Sequence, residues 1–110
     1  MLYILNTLVV PVNFDAMRHA VLELRRVSVE EAREIVHKTK WESAIGHEGS
    51  AVVLSELLGV DIPMNRRSIF LKKGDMGLHF FLKKRLPEGA ILSAEELKKL
   101  DFWLVLSTVL

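Results

Sequence analysis

Leu2-Tyr3-Ile4-Leu5-Asn6-Thr7-Leu8-Val9-Val10 is an almost unbroken apolar run, rich in β-branched residues and closed by Pro11. Such a run predicts a strand buried on both faces, ended by a proline that has no backbone N–H to donate. A strand of this kind needs neighbours at both edges and cover above and below. Asn6 is the anomaly within it. Its amide is either satisfied by neighbouring backbone or directed from the strand end towards a ligand.

The following segments supply neighbours and cover. His19 to Val27 alternates with period two and predicts a half-exposed strand. Ser28-Val29-Glu30-Glu31 is a capping box that opens a helix running to about Lys40. On that helix Ala32, Ile35 and Val36 face inward, and Glu34 and Lys38 pair one turn apart. His37 is a solvated helix residue, and Trp41 packs across the connection to the next turn. Ser43-Ala44-Ile45-Gly46-His47-Glu48-Gly49-Ser50-Ala51 then reads as a turn delivering a histidine to a helix start. The helix runs from Glu48 through Leu58 and stops at Gly59.

Val60 to Asn65, marked by Pro63, is a connection. Ser68–Lys73 and Leu78–Lys84 read as strands joined into a hairpin by Gly74-Asp75-Met76-Gly77. Leu78, Phe80 and Leu82 share one face of the second strand, while His79, Phe81, Lys83 and Arg85 share the other. That second face mixes aromatic and cationic groups as RNA-binding surfaces do, and equally suits an edge hairpin kept soluble by lysines. Leu86-Pro87-Glu88-Gly89 is a loop, Ser93-Ala94-Glu95-Glu96 caps a short helix to about Leu100, and Phe102–Leu110 is a closing strand. The expectation is an α/β protein. It comprises a single domain over residues 1–110, with a mixed sheet of about five strands flanked by helices and a basic β-hairpin.

A chain of 110 residues, half of them hydrophobic, can bury roughly two-thirds of its unfolded surface in one core. The absence of cysteine excludes disulfides and thiol chemistry and fits a reducing compartment. The apolar Met1–Val12 stretch lacks a basic leader and a small-residue cleavage site, and no run approaches the roughly 20 residues that span a bilayer. A cytoplasmic protein with no membrane partner is therefore expected. The net charge of +1 is unevenly distributed. Residues 1–64 carry six basic and nine acidic side chains, residues 65–85 seven and one, and residues 86–110 two and four. Concentration of positive charge in one segment suggests a local anion-binding surface rather than general affinity for nucleic acid.

Several chemistries are disfavoured. His19, His37, His47 and His79 lack ligand-like spacing, and the acids do not cluster as hard cations require, so no metal or cofactor is expected. No nucleophile elbow, P-loop or dinucleotide fingerprint occurs. What remains is a histidine at a helix start, a basic segment and an acid in a loop. The helix start offers unpaired N–H groups and partial positive charge to a phosphate, with Gly46, Gly49 and Ser50 beside it. Glycines there let the backbone bend and a ligand come close. This set suits metal-free RNA cleavage, in which the substrate's 2′-hydroxyl attacks and a histidine protonates the departing 5′-oxygen. On physics alone that reading competes with simple anion binding.

The set Ser43-Ala44-Ile45-Gly46-His47-Glu48-Gly49-Ser50, Asn65-Arg66 and Lys84-Arg85-Leu86-Pro87-Glu88-Gly89 resembles the viral anti-CRISPR ring nucleases, whose cellular relatives accompany type III CRISPR systems. The likeness begins at Tyr3-Ile4-Leu5-Asn6 and spans nearly the whole chain. It implies a homodimer that cuts cyclic tetra-adenylate, with DNA not among its partners. It further implies His47 as general acid, Arg66 and Arg85 holding phosphate or ribose, Glu88 organising the site and Asn6 lining the pocket. Thr7–Pro11 is more apolar than the resemblance leads one to expect, and Asn13 is a further candidate contact. The alternatives are a protein that sequesters the same messenger without cutting it, or a small RNA- or protein-binding adaptor.

Overall fold

Ten of the thirteen residues from Val27 to Thr39 form a helix, because its two ends are chemically marked. In the computed structural model, which describes residues 1–83 and 101–110, α1 spans Val29–Lys38. Ser28 accepts the Glu31 N–H on its hydroxyl, and the Glu31 carboxylate accepts the Ser28 N–H in return. That backbone bond, helped by Arg25, holds the Glu31 carboxyl below its usual range. The second helix, α2, spans Glu48–Leu58 and ends at Gly59, whose φ of 69° is the left-handed conformation of a helix C-terminus.

Five strands complete the described elements: β1 (Leu2–Leu5), β2 (Leu22–Val27), β3 (Trp41–Ser43), β4 (Met76–Leu82) and β5 (Phe102–Val109). Their order across the sheet is β2-β5-β4-β1-β3. β1 runs parallel to β3 and β4, and β5 runs antiparallel to β4 and β2. Leu2 and Ile4 of β1, Leu78 and Phe80 of β4 and Leu104 of β5 pack with Ala32, Val36, Val53, Leu54 and Leu58 of the two helices. Both helices therefore cover one face of the sheet.

The expected α/β class and mixed five-stranded sheet are present, with a different membership. The first strand ends at Leu5 rather than Val10, because β3 gives out at Ser43 and no partner strand continues beside it. Ser68–Lys73 is not a strand, so among the described residues it forms no basic hairpin with β4. A strand has two edges, and both edges of β4 are taken, by β1 and β5. The segment instead forms a single bridge, Leu71 to Val12, with Leu71 fully buried and Phe70 63% exposed. The missing strand is β3, a three-residue Trp-Glu-Ser segment without an alternating pattern. β2 is an edge strand and, apart from buried Val27, is exposed on both faces rather than one. The loop at Leu86–Gly89 and the helix expected from Ser93 to Leu100 lie outside the described residues.

Candidate functional site

Two parallel strands stop side by side, and the residues after each stop are joined. β1 ends at Leu5, and the next side chain, Asn6, accepts the Gly46 N–H on Oδ1 at 3.2 Å. β3 ends at Ser43, and Ala44 N–H donates to the Ile4 carbonyl at 2.8 Å. After α2 the chain returns along the same edge. Asn65 N–H donates to the Ile45 carbonyl and Asn65 Nδ2 to the Ser43 carbonyl, each at 2.8 Å, while Ser43 Oγ donates to the Pro63 carbonyl at 2.6 Å. This return lays Arg66 against Gly46, where a Cβ would meet Arg66 Cγ at 3.4 Å. Asn6, Gly46, His47 and Arg66 thus meet at the carboxyl ends of parallel strands, where open α/β sheets bind ligands.

His47 is the N-cap of α2, in extended conformation (φ −137°, ψ 125°), and its ring makes no capping hydrogen bond. It is exposed, so the imidazole is free to meet a ligand while its backbone starts the helix. The N–H groups of the first turn have no intrahelical acceptor, which leaves donors for an anion beside the ring. Glu48 in that turn places a negative charge nearby. Gly49 is half-buried and Ser50 buried there. Gly46 and Gly49 were expected to bend the backbone, yet neither has positive φ. What Gly46 contributes is an uncluttered surface for the Arg66 stem.

A cleft of about 310 Å³ opens beside these residues, lined by Asn6, Thr7, Ala44, Arg67, Ser68 and Phe70 among others. Arg67 was not singled out by sequence, since nothing in Asn65-Arg66-Arg67 separates the two arginines. Its guanidinium pairs with Glu42 and lies 5.8 Å from the Tyr3 ring centroid, and Tyr3 and Glu42 are direct neighbours across β1 and β3. Asn13 is engaged elsewhere: its Oδ1 accepts the Asp15 and Ala16 N–H groups in a local turn. Arg85 and Glu88 lie outside the described residues.

The basic segment does not form one patch. Arg66 and Arg67 stand at the carboxyl end of β1, whereas Lys72 and Lys73 line a cleft with Arg18, His19 and Leu110 at the opposite end of the sheet. Lys83 lies 5.2 Å from the Trp103 ring centroid, and that ring stacks on Phe81. A larger cleft, about 480 Å³, adjoins the α1 capping box, where Ser28 and Glu31 are bonded to each other.

His79 differs most from the sequence expectation of a mixed aromatic and cationic face. It is fully buried, with Nδ1 2.8 Å from the Thr7 carbonyl and Nε2 2.8 Å from Ser107 Oγ. A carbonyl only accepts, so Nδ1 carries the proton and Nε2 accepts from the Ser107 hydroxyl. Burial lowers the His79 pKa below the ordinary histidine value, opposed by the Thr7 carbonyl. Gly77 makes the room: a Cβ there would stand 2.6 Å from His79 Nε2 and 2.8 Å from Ser107 Oγ. A glycine two positions before a strand histidine, on the same face, is the one sequence trace of this arrangement.

Residues 2–104 match the family model described as STIV B116-like. The chain is 46% identical over 104 residues to protein ORF117 of Acidianus two-tailed virus, covering 92% of this chain and 86% of that protein. It is 39% identical over 107 residues to protein 26 of Sulfolobus islandicus filamentous virus, covering 94% and 89%. Among solved structures, B116 of Sulfolobus turreted icosahedral virus superposes with a TM-score of 0.69 and 19% identity, covering 97% of each chain. The last likeness carries the fold.

Proposed function

This chain belongs to the STIV B116-like family, a group with relatives in several viruses, and we propose that it is a metal-independent ring nuclease that cleaves cyclic tetra-adenylate. The observation that carries the reading is the meeting of Asn6, Gly46, His47 and Arg66 at one strand end, with an uncapped imidazole beside unpaired helix N–H groups. The sequence resemblance to anti-CRISPR ring nucleases supports the choice of substrate.

In this reading the 2′-oxygen of one ribose attacks the adjacent phosphorus and the bond to the 5′-oxygen breaks. The 2′-hydroxyl gives up its proton to solvent water, and His47 donates one to the departing 5′-oxygen, so the step is an internal transesterification. The first-turn N–H groups of α2 and the Arg66 guanidinium face the charge that develops on phosphate. Asn6 fixes the Gly46 backbone that carries His47. No step needs a metal, because the nucleophile belongs to the substrate.

A ring with two-fold symmetry matches a two-fold homodimer, which would present each of these residues twice. Two cuts on opposite phosphodiesters give two linear di-adenylates ending in 2′,3′-cyclic phosphate, which would silence a type III CRISPR response in the host cytoplasm. No helix among the described residues is long and apolar enough to cross a membrane. The test is incubation of the protein with cyclic tetra-adenylate in EDTA, with products resolved by chromatography. Linear di-adenylate is expected. An intact ring that stays bound assigns the protein as a sequestering binder, and a ring neither bound nor cut removes the reading.

A further inference from the structure

We infer that His79 is a positioning residue for this site, clasping the turn after β1 so that Asn6 is held on Gly46. The inference rests, for its effect on catalysis, on the ring-nuclease reading, while its geometric half stands apart from it.

The chain of contacts is short. β1 hands over at Leu5, whose cross-strand partner on β4 is His79. From there the backbone bends through Asn6-Thr7-Leu8, beyond the end of its ladder with β4. His79 supplies one of them, through Nδ1–H to the Thr7 carbonyl at 2.8 Å. The Thr7–Leu8 peptide, one residue beyond Asn6, is thereby anchored, and the Asn6 side chain reaches the Gly46 N–H at 3.2 Å. Gly46 in turn precedes the N-cap His47.

His79 cannot turn freely, because Ser107 on β5 holds its other nitrogen at 2.8 Å. The Ser107 hydroxyl also lies 3.4 Å from the Gly77 carbonyl. Three strands, β1 through its exit turn, β4 and β5, are thus tied by one buried imidazole. An apolar side chain would fill the same space on this face. What the imidazole adds is a directional bond to a backbone carbonyl in the turn that carries Asn6. Without it the carbonyl of exposed Thr7 turns to water, and the exit turn loses the side-chain bond that ties it to β4.

The experiment reads amide hydrogen exchange at Gly46, whose N–H bonds Asn6, against amides in the β4–β5 ladder such as Phe80 and Leu104. Three variants are compared with the wild type. His79→Leu removes both bonds. His79→Asn keeps a δ-position donor for Thr7. Ser107→Ala frees the far nitrogen of the ring. In His79→Leu, Gly46 exchange should rise by at least about tenfold while the ladder keeps its relative protection, as expected of local rather than global opening. His79→Asn should return Gly46 towards wild type, and Ser107→Ala should give a smaller rise.

With cyclic tetra-adenylate, His79→Leu should lower the single-turnover rate more than it weakens binding, and His79→Asn should recover rate. Gly46 exchange that is unchanged in a folded His79→Leu overturns the inference. So does exchange that rises only in step with the ladder. If His79→Leu does not fold, an unchanged Gly46 in Ser107→Ala overturns it equally. A wild type that leaves the ring intact removes the ring-nuclease reading, while the exchange data still decide the clasp.

Discussion

Replacing His47 by alanine separates chemistry from architecture, because its side chain is exposed and caps nothing in α2. The ring makes no capping hydrogen bond and is exposed, so its loss breaks no cap and opens no cavity. Stability should change by no more than about 0.5 kcal/mol, as for an ordinary surface substitution. The helix N–H groups remain, Arg66 still lies against Gly46, and Asn6 still holds the Gly46 N–H. Binding of cyclic tetra-adenylate should therefore survive. What disappears is the proton donor to the departing 5′-oxygen. General acid catalysis contributes roughly 10²–10⁴ in rate, so the barrier should rise by about 2.7–5.4 kcal/mol. The assay is single-turnover cleavage in EDTA with enzyme in excess, alongside direct titration of the ring and thermal unfolding. Cleavage by His47→Ala at close to the wild-type rate would refute the assignment at its centre. Loss of binding in proportion to rate would move His47 from acid to ligand contact.

Arg66→Ala should act in the opposite sense, weakening binding more than it slows the bound complex, with the deficit growing as salt is lowered and screening fades. Titration at two ionic strengths checks this, and equal affinities for variant and wild type would contradict it. Gly77→Ala places a methyl 2.6 Å from His79 Nε2 and 2.8 Å from Ser107 Oγ, and should destabilise by about 1–3 kcal/mol through overpacking. Urea unfolding measures it, and a variant as stable as wild type would mean that the imidazole and hydroxyl shift at little cost. Stability should also depend on pH through His79. Its folded pKa is depressed by burial, so near pH 6.5 the unfolded chain takes up a proton that the native imidazole refuses. The contribution is complete above about pH 6.5, is lost as pH falls from there through the folded value, and then levels off. His79→Asn should flatten that part of the stability profile, and an unaltered slope would show that His79 does not cause it.

Much of the fold was legible because its signals are local. The capping box Ser28–Glu31, the Gly59 stop and the alternation of Leu78, Phe80 and Leu82 each depend on residues within a few positions of one another, and each appears where expected. The helix start at Glu48 belongs to the same class, and it places His47 at the N-cap. Asn6 and Arg66 were named from sequence, and they converge on Gly46 from segments far apart in sequence, Asn6 by a hydrogen bond and Arg66 by packing.

What local pattern does not contain is which edge of which strand is already occupied. Ser68–Lys73 has the composition of a strand and a good turn after it, but β4 has no free edge to offer it. Trp41–Ser43 has no strand pattern, yet becomes one because β1 has an edge open beside it. The same accounting shortens β1 to Leu5 and leaves the Thr7 carbonyl to be met by a side chain. His79 alternates with apolar neighbours as a solvated residue does, and its burial follows from the packing of the β1 exit turn and Ser107 around it. The sequence by itself therefore determined where the two described helices begin and end, since caps, glycines and periodicity act within a turn or two. Only the tertiary structure decided strand pairing, the separation of Arg66 from Lys72 and the burial of His79. Those outcomes depend on hydrogen-bonding edges shared between segments as far apart in sequence as Leu22 and Val109.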